Sequence, residues 1–184
     1  MKYRLTHTIL VVAMMLVLGV TITQAAPLDG EVGSSDLAAP AGVYDFTTHG
    51  TAWVPQLRGQ FSLFKPLGLG MQTRAKVAGN KWVHIPVPYP SRIANDGVSI
   101  KYVEFCAQST NGAATKPVRM DLWDYSGRFY SINISLPATN GKHCFGHEFN
   151  PPIWKQDLGV SVLLSFANST DKINLFKAWV RVTP

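Results

Sequence analysis

The chain of 184 residues is 46% hydrophobic and only 15% charged, with a formal net charge of +6 and two cysteines. Disordered chains carry less apolar and more charged sequence, and small disulfide scaffolds pack many more cysteines into fewer residues, so both classes are excluded. The basic residues are scattered rather than clustered, which gives no footprint for nucleic acid.

In chain order, the first segment reads as an export signal. Lys2 and Arg4 precede an uncharged apolar run over 9–20, and Thr23-Gln24-Ala25-Ala26 closes it with small residues. A basic start, an apolar run of ~7–15 residues and a small-residue exit describe a secretory signal peptide, here residues 1–25. The alternative is an uncleaved membrane anchor, but a spanning helix needs ~20 apolar residues and this run is shorter. Cleavage would remove Lys2 and Arg4 and no acidic residue, lowering the charge from +6 to +4. The expectation is a secreted protein, extracellular or periplasmic, with no stable membrane insertion after cleavage. Residues 26–45, rich in Ala, Gly, Ser and Pro, read as a flexible leader to a domain over 46–184.

Within the domain the dominant period is two, the period of strands. Strand candidates lie at 51–57, 60–64 and 71–77; Gly79-Asn80 then turns the chain into 81–87, and Asp96-Gly97 into 98–108. Val118, Met120 and Leu122 alternate with Arg119, Asp121 and Trp123. After Ser126-Gly127, Tyr130, Ile132, Ile134 and Leu136 alternate with Ser131, Asn133 and Ser135. Asn140-Gly141 favours a type I′ turn and predicts a hairpin into a strand over 143–149, which Pro151-Pro152 should end. Val160, Val162, Leu164 and Phe166 alternate with Ser161, Leu163 and Ser165. Phe176, Ala178, Val180 and Val182 alternate with Lys177, Trp179, Arg181 and Thr183. The turn cluster Asn168-Ser169-Thr170-Asp171 between these two runs predicts an antiparallel hairpin. Eight to ten short strands without intervening helices predict an all-β fold, an antiparallel β-sandwich of jelly-roll-like type.

Export gives Cys106 and Cys144 a meaning: in an oxidising compartment they predict one disulfide, two buried thiols being the alternative. The closed loop of ~39 residues is worth about 4 kcal/mol in the chain-entropy model. Neither a CxxC nor a Cys/His ligand spacing is present, so no metal and no cofactor is expected. His143 and His147 would lie about 13 Å apart on a strand, too far to share an ion held by bonds of ~2.0–2.1 Å. The sequence holds no Gly-x-Ser-x-Gly elbow and no complete phosphate-binding loop. Glu104, Asp121, Asp124 and Glu148 offer carboxylates for a glycosidase pair, but nothing in their spacing brings two together. No catalytic residue is assigned.

The aromatic residues are more informative. Trp179 lies on the polar face of its strand between Lys177 and Arg181, and Trp123 shares a polar face with Arg119, Asp121 and Tyr125. A flat ring beside hydrogen-bonding groups makes a platform for a sugar ring. The competing reading is a covered aromatic in an internal cation–π contact worth ~0.5–1 kcal/mol. The candidate binding residues are therefore Trp123, Trp179, Tyr125, Arg119, Lys177 and Arg181. Asn133 and Asn168 begin Asn-x-Ser/Thr triplets, which matter only in a host that glycosylates secreted proteins.

His49-Gly50, the run 82–88 (Trp-Val-His-Ile-Pro-Val-Pro), the strand around 98–105, His147-Glu148-Phe149 and the run 158–162 form a recognisable pattern. Over most of 49–182 it resembles a group of uncharacterised small all-β proteins of bacteria and fungi. The export signal and the cysteine pair depart from that group. The resemblance implies a β-sandwich and carries no activity to transfer. The leading functional expectation is a secreted, non-catalytic binding or surface-interaction domain, with an extracellular polysaccharide or a surface protein as partner. The alternatives are a structural protein of the cell exterior pairing through sheet edges, and a secreted hydrolase. The oligomeric state stays open.

Overall fold

The computed structural model describes residues 42–93 and 95–184. The export signal and nearly all of the leader lie outside the described residues. In chain order the strands are β1 (Tyr44–Thr48), β2 (Val54–Pro55), β3 (Phe61–Leu67), β4 (Gly70–Ala75), β5 (Gly79–Pro86), β6 (Arg92–Ile93) and β7 (Asp96–Gly97). They continue as β8 (Ser99–Ser109), β9 (Lys116–Asp124), β10 (Gly127–Asn133), β11 (Lys142–Trp154), β12 (Gly159–Phe166) and β13 (Ile173–Thr183). Two 3₁₀ turns, Gly50–Ala52 and Arg58–Gln60, flank β2. No helix among the described residues is long and apolar enough to cross a membrane.

The fold is an antiparallel β-sandwich. One sheet has the order β11-β8-β13-β4-β3, with β1 also pairing β13; the other has the order β10-β9-β12-β5-β2. Strands β6 and β7 form a separate two-stranded ribbon. Alternation explains the core. Val160, Val162, Leu164 and Phe166 of β12 are buried, facing the buried Ile100, Val103 and Phe105 of β8 and Val180 and Val182 of β13 within one hydrophobic cluster. Each such side chain contributes ~1.5–3 kcal/mol on burial. Trp53 is buried in the same cluster, edge-on to Phe105 at 6.1 Å, and its Nε1 donates to the Phe176 carbonyl at 2.7 Å.

The expected disulfide is present. Cys144 of edge strand β11 is paired in register with Cys106 of β8, and a Cys106–Cys144 bond joins them. Cys106 alternates with the inward Phe105 and Ala107, and Cys144 is its register partner, so the disulfide lies on the outer side of its sheet.

Five expectations are corrected. The residues around Asn168–Asp171 do not close a hairpin: β12 and β13 belong to different sheets. That segment is an arch, tied down by Asp171, which accepts from Thr115 Oγ1 at 2.5 Å and Asn111 Nδ2 at 3.2 Å. Asn140-Gly141 also joins different sheets, β10 to β11, and neither residue has positive φ. Its Asn140 side chain accepts from the Gly112 N–H at 2.9 Å instead. Pro151-Pro152 does not end β11, which runs through both prolines to Trp154 with a register shift between Glu148 and Ile153. An edge strand tolerates proline because one side of its ladder is unpaired. Finally, Phe176 does not share the inward face of Ala178. A bulge between Leu175 and Ala178 places Ile173 and Leu175 inward before it and Ala178, Val180 and Val182 inward after it. Such an extra residue re-aims every side chain beyond it. Strand β1 also starts at Tyr44, two residues inside the segment read as leader, and pairs Tyr44 with Val182.

Candidate binding face

The outer side of the five-stranded sheet carries a groove of about 240 Å³ lined by Gln56, Trp82, His84, Arg119, Asp121, Trp123, Arg128 and Ser161. Its pattern follows from strand register. Trp123 of β9 is paired with Arg128 of β10 and Gly159 of β12. One step along, Asp121 is paired with Ser131 and Ser161, and Ser161 in turn with His84 of β5. A further step brings Arg119 opposite Asn133 and Leu163, and Leu163 opposite Trp82. The two tryptophans are therefore four residues apart along the strands and two strands apart across them, about 16 Å between Cα atoms.

Asp121 organises the middle of this face. It is only 1% exposed. Its Oδ1 accepts from Arg119 Nε at 2.7 Å and Ser131 Oγ at 2.6 Å, and its Oδ2 accepts from Arg119 Nη2 at 2.6 Å and Arg128 Nη1 at 3.2 Å. Burial works to raise the Asp121 pKa; the hydrogen bonds from Arg119, Ser131 and Arg128 more than reverse this and hold the carboxyl below the usual carboxylate range. The forked grip of Asp121 fixes the Arg119 guanidinium, which lies 5.1 Å from the centroid of Trp82. His84 Nδ1 lies 2.7 Å from Ser161 Oγ, and burial lowers the histidine pKa, keeping the ring neutral at pH 7. Asp121 lies on the far side of Ser161 from His84 and is saturated by other donors, so these three groups do not form a relay of carboxylate, imidazole and hydroxyl.

The sequence-predicted binding residues divide between two surfaces. Trp123 (39% exposed) and Arg119 share the groove just described. Tyr125 lies beyond the end of β9 in the turn to β10, 75% exposed, with its backbone N–H donating to Asp157 at 2.9 Å. Trp179, Lys177 and Arg181 belong to β13, on the outer side of the other sheet. There a hollow of about 410 Å³ is lined by Lys101, Tyr102, Glu148, Trp179 and Arg181. Trp179 is engaged within the protein. Its Nε1 donates to Glu104 Oε1 at 2.6 Å, its ring packs on Tyr102 at 5.1 Å, and Arg181 lies 5.2 Å over it. Arg181 forks onto Asp45 of β1 at 2.8 and 2.9 Å, and Lys177 Nζ stands 5.9 Å from the Trp179 ring. Burial, reinforced by the Glu104 charge, pushes the Tyr102 hydroxyl pKa up. Glu104 lies near both cysteine sulfurs, but as a disulfide these offer no thiolate to a metal ion.

Trp82, His84, Gln56, Ser161 and Arg128 are the groove residues that sequence reasoning missed. The first two were legible: Trp82 and His84 alternate with the buried Val83 and Ile85, as Trp123 alternates with Leu122. Arg128 follows from the Ser126-Gly127 hairpin, where Gly127 has φ +134°.

No protein-family model matches the sequence. No curated protein matches it either. Among solved structures, the chain is similar to the CBM36-1 domain of a multidomain xylanase from the hindgut metagenome of Trinervitermes trinervoides, at 8% identity and TM-score 0.46, over 74% of this chain and 96% of that one. It is also similar to a carbohydrate-binding module of Cellvibrio mixtus lichenase 5A in complex with cellotriose, at 18% identity and TM-score 0.40, over 75% and 95% of the two chains. A third similar structure is an adhesin domain of Lys-gingipain from Porphyromonas gingivalis, at 8% identity and TM-score 0.44, over 76% and 99%. These likenesses assign this chain no ligand.

Proposed function

We propose that this domain is a non-catalytic, exported module that binds carbohydrate on the outer face of its five-stranded sheet. The observation that carries the reading is the groove in which Trp82 and Trp123 flank a floor of fixed polar groups. Aromatic faces supply large contact area at small entropic loss, and polar groups held by their own hydrogen bonds set orientation without reorganising. Gly159, opposite Trp123 and without a side chain, leaves the floor beside that ring open. Trp123 and Arg119 belong to this site; Trp179, Lys177 and Arg181 belong to the other face, where Trp179 serves the packing of β13 against β8 and β1.

Retention on a panel of insoluble and gel-cast polysaccharides tests the reading. Trp82→Ala and Trp123→Ala should each lose retention on the glycan that holds the wild type, while Trp179→Ala keeps it in whatever fraction folds. Equal retention of all three with wild type would sink the proposal.

A further inference from the structure

The groove has a donor and acceptor balance that narrows the ligand, and this inference rests on the carbohydrate reading above. Among its lining residues the sole carboxylate is Asp121. Both of its oxygens are consumed by four hydrogen bonds, and it is almost wholly covered. It cannot accept from a ligand hydroxyl without releasing an arginine or a serine. The donors, by contrast, are in excess. A guanidinium carries five N–H groups and accepts nothing. Arg119 spends Nε and one Nη2 proton on Asp121 and remains about a third exposed at its side chain, 32%. Arg128 makes one longer bond of 3.2 Å to the same carboxylate with its side chain 47% exposed. Lys116 adds a third cation on the same outer side, one register step beyond Leu163, opposite Ser165. At the Trp123 end, the carboxylate of Asp124 is matched by Lys155 at 2.7 Å, and Asp157 accepts from the Tyr125 N–H.

A neutral sugar presents hydroxyls that need both donors and acceptors. The groove's remaining acceptors are the neutral Gln56, His84 and Ser161, whereas its spare charged groups are guanidinium donors with no free carboxylate beside them, a balance matched to a ligand that brings anionic acceptors of its own. We infer that the groove recognises an anionic polysaccharide, a sugar chain bearing carboxylate or sulfate groups. Its rings lie against Trp82 and Trp123, and an anionic substituent is received by Arg128 and the free edge of Arg119. Guanidinium suits this role because its planar fork meets a carboxylate or sulfate through two parallel hydrogen bonds.

Affinity electrophoresis of the whole protein tests this, with gels containing polygalacturonate, a sulfated galactan, an uncharged galactan or single-stranded DNA. The expected result is retardation by polygalacturonate, the sulfated galactan or both, weakened by salt, with the uncharged galactan at least tenfold weaker. The two anionic gels separate carboxylate from sulfate as the preferred group. Arg128→Gln leaves Asp121 held by Arg119 and Ser131, and should reduce retardation on the anionic gel by about tenfold, the loss of one charge-assisted pair. Retardation by uncharged galactan equal to the anionic gels, unchanged in Arg128→Gln, would overturn the anionic inference and leave the carbohydrate reading standing. Absence of retardation in every gel would overturn both. Retardation by single-stranded DNA as strong as by the anionic glycans would overturn the inference in favour of a general polyanion surface.

Discussion

The bulge in β13 rests on two glycines, and replacing one of them tests the account of this fold most directly. An added Cβ at Gly70 would lie 2.0 Å from the Leu175 carbonyl oxygen and 3.0 Å from its carbon. At Gly50 it would meet Phe176 backbone at 2.7 Å and the Gly70 Cα at 2.8 Å. The bare glycine pair thus lets β4 and the Gly50–Ala52 turn approach the bulge closely enough for Trp53 to donate to the Phe176 carbonyl. Gly70→Ala puts backbone against backbone, where no side chain can swing aside. Overpacking ordinarily costs ~1–3 kcal/mol, and a rigid neighbour places this site at the upper end. Movement of β13 away from Trp53 would orphan the Phe176 carbonyl and the indole N–H, adding ~1–2 kcal/mol. The expected loss is about 3–5 kcal/mol, a large share of the ~5–15 kcal/mol that stabilises a domain. Urea unfolding followed by tryptophan fluorescence measures it. Gly68→Ala is the control, because nothing lies within 4 Å of a Cβ placed there. If Gly70→Ala unfolds within about 0.5 kcal/mol of that control, the bulge is not held by this close approach and the reasoning fails.

Two further predictions concern the disulfide and pH. Replacing both Cys106 and Cys144 by Ala opens a cross-link spanning 38 positions and should lower unfolding free energy by ~2–4 kcal/mol in urea titrations. Asp124 is held at about 2 by the hydrogen bonds from Lys155 and Ser126, Asp45 is lowered by its bond from Arg181, and Asp171 by its bond from Thr115. Their folded pKa values lie below the unfolded value near ~3.9, so the stability they give is complete above pH ~4 and is lost as pH falls toward 2. Burial lowers the pKa of His84 and of His147, so protonation below pH ~6.5 favours the unfolded chain. The melting temperature should hold near neutral pH, decline gently below about 6.5 and fall steeply below about 4. A rise in melting temperature between pH 7 and 5 would contradict both histidine assignments.

The groove shows what a single strand can and cannot reveal. Alternation in β9 places Arg119, Asp121 and Trp123 on one side of their strand, and alternation in β5 does the same for Trp82 and His84. Neither pattern reveals that β12 lies between these two strands and joins them into one surface. The role of Asp121 is equally hidden. Its partners Arg128 and Ser131 arrive through the β9–β10 hairpin, and its near-complete burial follows from three side chains closing over it. For Trp179 the deciding partner, Glu104, is 75 positions away in sequence, so a tryptophan flanked by two cations looks the same whether it faces a ligand or a neighbouring strand.

The failed hairpins have one cause. A turn cluster between two alternating strands satisfies the local requirements of a hairpin and of an arch alike: both need polar residues that bond their own backbone at a chain reversal. What differs is whether the second strand stays in the first strand's sheet or crosses the core to the other one. That choice is settled by pairing partners distant in sequence. β12 already has β9 and β5 on its two sides, so β13 finds no free edge there and pairs with β8, β4 and β1 in the opposite sheet. The buried faces agree with either outcome, since a strand's apolar side meets the same core from above or below. The hairpins that do form, β3–β4, β6–β7 and β9–β10, have connections of two residues each, which would have to be fully extended to cover the roughly 10 Å between sheets and so could make no chain reversal, whereas the three-residue connection from β4 to β5 already crosses. Asn168–Asp171 and Asn140-Gly141 sit in connections of six and eight residues, long enough to span that gap. In this protein connection length, more than turn composition, separates a strand that folds back beside its predecessor from one that crosses the sandwich, and it is therefore what brings Trp179 to the face opposite Trp123.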